Sequence, residues 1–201
     1  MRKPEDTIPA DYDQPIREGK LVPAELAGLQ GISLLTTDER EAVLAAIPQT
    51  GLFVEIGTHH GVSMAYWAKH RPAVTFIGLD VYKEPRRQGS YDLGWKAARN
   101  WLLNRRPNML IFVGPSSETA GYLALHNADV VLVDADHHYE GCSSDLKSAG
   151  RLVDFTNGTI LCHDFNGPKY HGVTRAVLEF CERESWRIAG VVDWLAILKR
   201  K

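Results

Sequence analysis

The chain has 201 residues, 44% hydrophobic and 24% charged, the balance of a soluble globule long enough to bury one self-sustaining core. Its 23 basic and 25 acidic residues give a formal charge of -2, so no cationic excess is available to neutralise a nucleic-acid backbone. No run approaches the ~20 apolar residues of a membrane span, and the polar stretch Met1 to Asp13 lacks the apolar centre of a signal peptide. The expectation is a cytoplasmic protein with neither nucleic acid nor membrane as partner. Three cysteines, Cys142, Cys162 and Cys181, match no zinc spacing and read as reduced thiols.

Residues 1–35 carry Pro4, Pro9, Pro15 and Pro23 without a sustained period. They read as an extended N-terminal arm that invites a homo-oligomer, with one domain over 36–201. Thr37 followed by Asp38, Glu39 and Glu41 reads as a helix start, a threonine cap with acids in the first turn. That helix is predicted to reach Ala46 and stop before Pro48. Strands then alternate with helices. Leu52 to Ile56 is a buried strand, Val62 to His70 a helix, Val74 to Leu79 a strand and Leu93 to Asn104 a helix. Met109 to Val113, Val130 to Val133 and Thr159 to Cys162 are further strands. Ser116 to His126, capped by Ser116 or Ser117, Tyr139 to Leu152, and Val173 to Cys181 are the intervening helices. Such alternation predicts parallel pairing with right-handed crossovers. The end breaks the pattern: Trp186 to Val192 and Trp194 to Leu198 leave no room for a crossover helix, so these two strands should pair antiparallel. The fold expected is a Rossmann-like, doubly wound, mostly parallel seven-stranded α/β sheet.

The first strand runs into Glu55-Ile56-Gly57-Thr58-His59-His60-Gly61. A glycine turn between strand and helix lets the backbone approach a ligand and aims free helix amides at it. Asp80, 23 residues after Gly57, closes the second strand, where an acid can accept hydrogen bonds from ribose hydroxyls. Glu55 is out of place beside a pyrophosphate. It suits a cofactor with a cationic ammonium and sulfonium and no phosphate. Glu-x-Gly-x-x-x-Gly resembles motif I of class I S-adenosylmethionine-dependent methyltransferases. The resemblance implies cofactor contacts from Glu55, Gly57, Thr58, His59, Gly61 and Asp80. It implies adenine neighbours in Gly114 and Ser116, after the third strand.

The fourth strand ends in Val133-Asp134-Ala135-Asp136-His137-His138, and the fifth in Cys162-His163-Asp164. In an open parallel sheet these ends share one edge, beside the crevice where ligands bind. His59, His60, His137, His138, His163 and His171, six of the eight histidines, fall in or next to loops at that edge. Two carboxylates brought together are tolerable when a cation sits between them. Asp134 and Asp164 could hold Mg²⁺; His163 as a third ligand would tilt the choice toward Mn²⁺, Fe²⁺ or Zn²⁺. The strand-four motif, with His163-Asp164 and Gly172-Val173-Thr174-Arg175 after it, is similar to a small-molecule subfamily. That subfamily includes relatives of macrolide-sugar O-methyltransferases and of a cephalosporin-biosynthesis enzyme. The resemblance implies that Asp134 and Asp164 bind metal, with Asp134 also bordering the cofactor. It makes His137 the base that deprotonates a small-molecule hydroxyl.

Other readings of the same residues are a nicotinamide-linked dehydrogenase, a metal-dependent hydrolase, or a non-catalytic cofactor-binding module. The dehydrogenase does not predict Glu55 or the strand-end acids. The hydrolase has no use for Glu55 paired with Asp80. The basic run Lys83, Arg86 and Arg87 reads as a solvated loop, or as a lid toward an anionic substrate.

Overall fold

The computed structural model describes residues 33–82, 108–123 and 127–201. The arm up to residue 32, the basic run, the helix expected over Leu93 to Asn104 and the helix end at 124–126 lie outside the described residues.

Helix α1 (Thr37–Ala46) opens the described chain. Its cap is Thr36, one residue before the threonine the sequence suggested. The Thr36 hydroxyl accepts from the Glu39 amide at 3.1 Å, and the Glu39 carboxylate accepts from the Thr36 amide at 2.6 Å. Thr-x-x-Glu therefore closes a reciprocal capping box, which an acid three residues on offers to Thr36 and not to Thr37. Next come β1 (Gly51–Ile56), α2 (Val62–His70), β2 (Val74–Asp80) and β3 (Met109–Val113). After them run α3 (Ser116–Leu123), β4 (Val130–Val133), α4 (Tyr139–Leu152), β5 (Thr159–Cys162), α5 (His171–Arg183), β6 (Trp186–Val192) and β7 (Leu195–Arg200). Ser116 is the first residue of α3, but its hydroxyl donates to Asp145 on α4 and does not cap the helix.

The seven strands form one sheet in the order β3-β2-β1-β4-β5-β7-β6. β1 through β5 pair in parallel, while β7 runs antiparallel to both β5 and β6. This is the Rossmann-like, doubly wound sheet with its antiparallel C-terminal pair. The strand order reverses between β1 and β4, and a crevice opens above their carboxyl ends at such a reversal.

Alternation along each strand sorts side chains between two faces. Val54, Ile56, Val131, Val133, Ile160 and Cys162 pack on the face covered by α4 and α5. Phe53, Phe76, Leu132 and Leu161 pack on the other, with Val43 of α1 and Trp67 of α2. Burial of both faces explains why the strands read as unbroken apolar runs. Arg71 ties the second layer together, donating to the carbonyls of Ile47 at 3.1 Å and Leu44 at 2.9 Å at the end of α1. Among the described residues no helix is long and apolar enough to cross a membrane.

Candidate active site

Extending the two-residue period past the strand ends places three polar side chains on one face. Glu55 follows Phe53, Asp134 follows Leu132, and His163 follows Leu161, so all three lie toward α1 and α2. The ladder continues for one further row: Gly57 N–H donates to Leu79 O at 2.8 Å, Asp134 N–H to Ile56 O at 2.8 Å, and His163 N–H to Val133 O at 3.0 Å. The carboxyl ends of β1, β4 and β5 thus hold their polar residues in register.

Gly57 has φ +97, and a Cβ there would stand 2.0 Å from the Asp134 carbonyl oxygen. Only glycine lets the chain leave β1 so close to β4. Gly61, also left-handed at φ 68, starts α2. Between them lie Thr58, which is buried, and His59 and His60, whose ring centroids are 3.9 Å apart. Asp80 accepts the His59 N–H on one carboxylate oxygen and the Tyr82 N–H on the other, both at 2.7 Å. Those bonds hold the carboxylate at the rim of the turn and leave each oxygen a lone pair for another donor. Gly114 lies beside Asp80, donating its N–H to the Asp80 carbonyl at 2.9 Å. The Ser116 side chain turns instead toward α4, where it meets Asp145 and Ser148.

Three buried polar atoms in this cradle have no partner among the described residues: Glu55 Oε2, Thr58 Oγ1 and the Tyr82 hydroxyl. Orphaned buried polar atoms are costly and rare. Burial, reinforced by the charges of Asp134 and Asp80, pushes the Glu55 carboxyl well above its ordinary range. Burial also raises Asp80, against the two amides that it accepts. A cation brought into this cradle would relieve both.

Next to the cradle, Asp134, His137 and Asp164 each offer one ligand atom, and these atoms lie within 4.8 Å of one another. His137 Nε2 is 2.9 Å from Asp164 Oδ2, and its Nδ1 is 2.9 Å from the Ala135 carbonyl. The Nδ1 proton therefore belongs to the carbonyl, and Nε2 is the nitrogen that faces the cluster. Burial alone would depress His137; the hydrogen bond and charge of Asp164 outweigh it and raise the imidazole. Asp164 is buried with φ 62, a left-handed conformation that non-glycine residues seldom adopt. Tyr170 packs edge-on against His137, with centroids 4.6 Å apart.

His163 is held differently. Its Nδ1 lies 3.1 Å from Asp134 Oδ1 and 3.6 Å from Asp164 Oδ2, and its Nε2 lies 3.3 Å from Glu39 Oε2. Burial opposes its charged form, but the carboxylates of Asp134, Glu39 and Asp164 hold the imidazole well above its ordinary value. The Asp134 carboxyl, which burial would raise, is kept low mainly by His163. Sequence reading singled out neither Glu39 nor Tyr82 as a site residue. The capping box could have flagged Glu39, and its position two residues past Asp80 could have flagged Tyr82. The pairing of Ser116 with Asp145 joins two helices and leaves no local signal.

A family model described as a methyltransferase domain matches residues 54–165. No curated protein matches the sequence. Among solved structures, the O-methyltransferase NovP is similar at 15% identity, covering 84% of this chain and 82% of its own, with a TM-score of 0.63. CalS11, a TDP-rhamnose 3′-O-methyltransferase of calicheamicin biosynthesis, is 17% identical over 81% of this chain and 76% of its own, with a TM-score of 0.56. Fibrillarin, solved in complex with Nop5p, is 13% identical over 81% and 82%, with a TM-score of 0.57. Similarity at these identities is one of fold. The family match covers more than half of the chain and spans the glycine turn, the acid closing β2 and both strand-end acids, so the chain belongs to the methyltransferase-domain family and is an S-adenosylmethionine-dependent methyltransferase.

Proposed function

We propose that this enzyme methylates a hydroxyl of a small molecule, with a divalent cation, Mg²⁺ or Mn²⁺, held at Asp134 and Asp164. The carrying observation is that Asp134 belongs to two places at once: its backbone closes against Gly57 in the cofactor turn, and its side chain belongs to the Asp134–His137–Asp164 group. The donor set fits a hard cation, which takes one or two carboxylates and keeps other positions for small oxygen ligands. The orphaned Glu55 carboxylate fits the cofactor's ammonium, and Asp80 fits its ribose. The named acceptor of CalS11, a nucleotide sugar, favours a sugar hydroxyl among the acceptors to be tried.

S-adenosylmethionine supplies a methyl carbon already activated by its sulfonium. A divalent cation, when bound, supplies positive charge that lowers the pKa of a nearby hydroxyl. The protein's part is orientation and proton transfer. The glycine turn and Glu55 fix the donor, and the loops after β4 and β5 fix the acceptor. Alignment of two bound reactants is worth roughly 7–11 kcal/mol of a barrier. As a neutral imidazole with its Nδ1–H anchored on Ala135 O, His137 takes the acceptor's proton on Nε2, the nitrogen that in its protonated form donates to Asp164. General-base help of this kind contributes roughly 10²–10⁴ in rate.

A second reading follows from the 4.8 Å grouping: His137 is the third cation ligand, which favours Mn²⁺ over Mg²⁺. One experiment separates the two. Turnover and Mn²⁺ affinity are measured for His137→Ala with a panel of sugar and phenol acceptors. Turnover lost by 10²-fold or more with Mn²⁺ affinity intact supports the base. Loss of both supports the ligand. Methylation that survives exhaustive chelation removes the cation from either reading.

A further inference from the structure

Glu39 is fully buried, on a helix that lies outside the stretch matched by the family model. A capping box alone does not explain its burial, because the box needs only one oxygen. Here Oε2 accepts from the Thr36 N–H at 2.6 Å and faces His163 Nε2 at 3.3 Å, while Oε1 accepts from the Trp194 N–H at 3.0 Å. One carboxylate thus joins the start of α1, the turn between β6 and β7, and the loop after β5. The neighbouring cation, Arg40, turns elsewhere, to the Leu35 carbonyl and the Thr37 hydroxyl. Among the described residues, His163 is the basic side chain within ion-pair distance of Glu39.

The far side of the same ring meets Asp134 at 3.1 Å. The imidazole lies between two carboxylates, hydrogen-bonded to Asp134 through Nδ1 and in ion-pair contact with Glu39 through Nε2, a buried nitrogen with no hydrogen bond of its own among the described residues. Nδ1 is taken by the bond to Asp134 and Nε2 is turned to Glu39, and the Asp134–His137–Asp164 group does not include His163.

We propose that Glu39 and His163 are positioning residues: Glu39 sets the ring of His163, and the ring sets the Asp134 carboxylate for cation binding. The inference rests on the cation reading above. It extends the active site to α1 and replaces ligation by His163 with support from behind. Outer partners of this kind commonly carry 10–100-fold in metal affinity.

The test is Mn²⁺ binding to the full chain, by calorimetry, for wild type, Glu39→Gln, His163→Gln and the double variant, with urea unfolding of each. Glutamine keeps an oxygen for the Thr36 amide but removes the charge facing His163 and sets an NH2 against the Trp194 N–H, so the unfolding curves separate a loosened fold from a loosened site. The expected result is a 10–100-fold loss of Mn²⁺ affinity in Glu39→Gln, and a double variant no weaker than His163→Gln alone. Glu39→Gln within twofold of wild type overturns the proposal, as do losses that multiply in the double variant. A wild type that takes up no Mn²⁺ overturns the cation reading and this proposal with it. If Glu39→Gln does not fold, the ¹⁵N-labelled His163 ring of the wild type decides. An Nε2–H protected from solvent exchange upholds the contact, and a freely exchanging one overturns the proposal.

Discussion

Replacing Asp145 with Asn should make the enzyme more stable at neutral pH and leave its acid stability almost unchanged. Asp145 lies on the buried side of α4, its carboxylate accepting from the Ser116 hydroxyl, close to Ser148. Burial raises it from 3.8 to about 6, although the bonds from Ser116 and from the Asp136 amide pull the other way. The sign follows from where the proton leaves first. In the unfolded chain the carboxyl ionises near 3.8, whereas in the folded chain it holds its proton until about 6. Stability is therefore fullest below 3.8 and is lost as pH rises through about 6. Each pH unit of that interval is worth about 1.4 kcal/mol, so the loss reaches about 3 kcal/mol at neutral pH. Asparagine does not ionise, and its amide can donate to Ser116 Oγ, which then donates to Ser148. Urea unfolding of both proteins between pH 4 and 8 should show curves that diverge from pH 4 to 6 and run parallel above, the variant higher by about 3 kcal/mol. For a domain of this size that is roughly 6–12 °C in Tm. Curves parallel throughout would refute the assignment of a buried, proton-holding Asp145.

Glu55 should couple cofactor binding to pH. Burial favours its protonated form in the free enzyme, while a cationic amine favours the carboxylate, so binding should lower its pKa, release protons over the interval between the two values and tighten as pH rises through it. Calorimetry of S-adenosylmethionine in buffers of different ionisation enthalpy should report that release in wild type and none in Glu55→Gln; heats independent of buffer in wild type would disprove it. Gly57→Ala should cost about 1–3 kcal/mol for the backbone conformation and a comparable amount for the contact with the Asp134 carbonyl. Urea unfolding gives the total, and S-adenosylhomocysteine binding should fall with it; a variant that binds normally would mean that β1 and β4 do not need this close approach.

The sheet was legible because burial of both faces writes each parallel strand as a short apolar run, and the crossover helices carry their own period. The antiparallel end was legible from Trp186 to Leu198, where no helix fits. Most of the candidate site followed from the same logic. Residues at the carboxyl ends of β1, β2, β4 and β5 must share an edge, which is how Glu55, Asp80, Asp134 and Asp164 come together. Local chemistry was less certain. Two adjacent threonines compete for one cap, and only the reach of Glu39 back to Thr36 decides between them. Contacts made by docking were out of reach. Nothing near residue 39 announces that a helix start will lie against the loop after β5, and nothing near Ser116 names Asp145.

The backbone at Asp164 narrows the residues that can stand there. Aspartate shares with asparagine and glycine a tolerance of that left-handed turn, whereas most other L-residues there give up roughly 1–2 kcal/mol. Asparagine would forgo the charge and glycine the side chain altogether. Under the proposed cation reading, the residues that suit this bend differ in the one property the site would use, so Asp164→Asn removes the charge at little backbone cost.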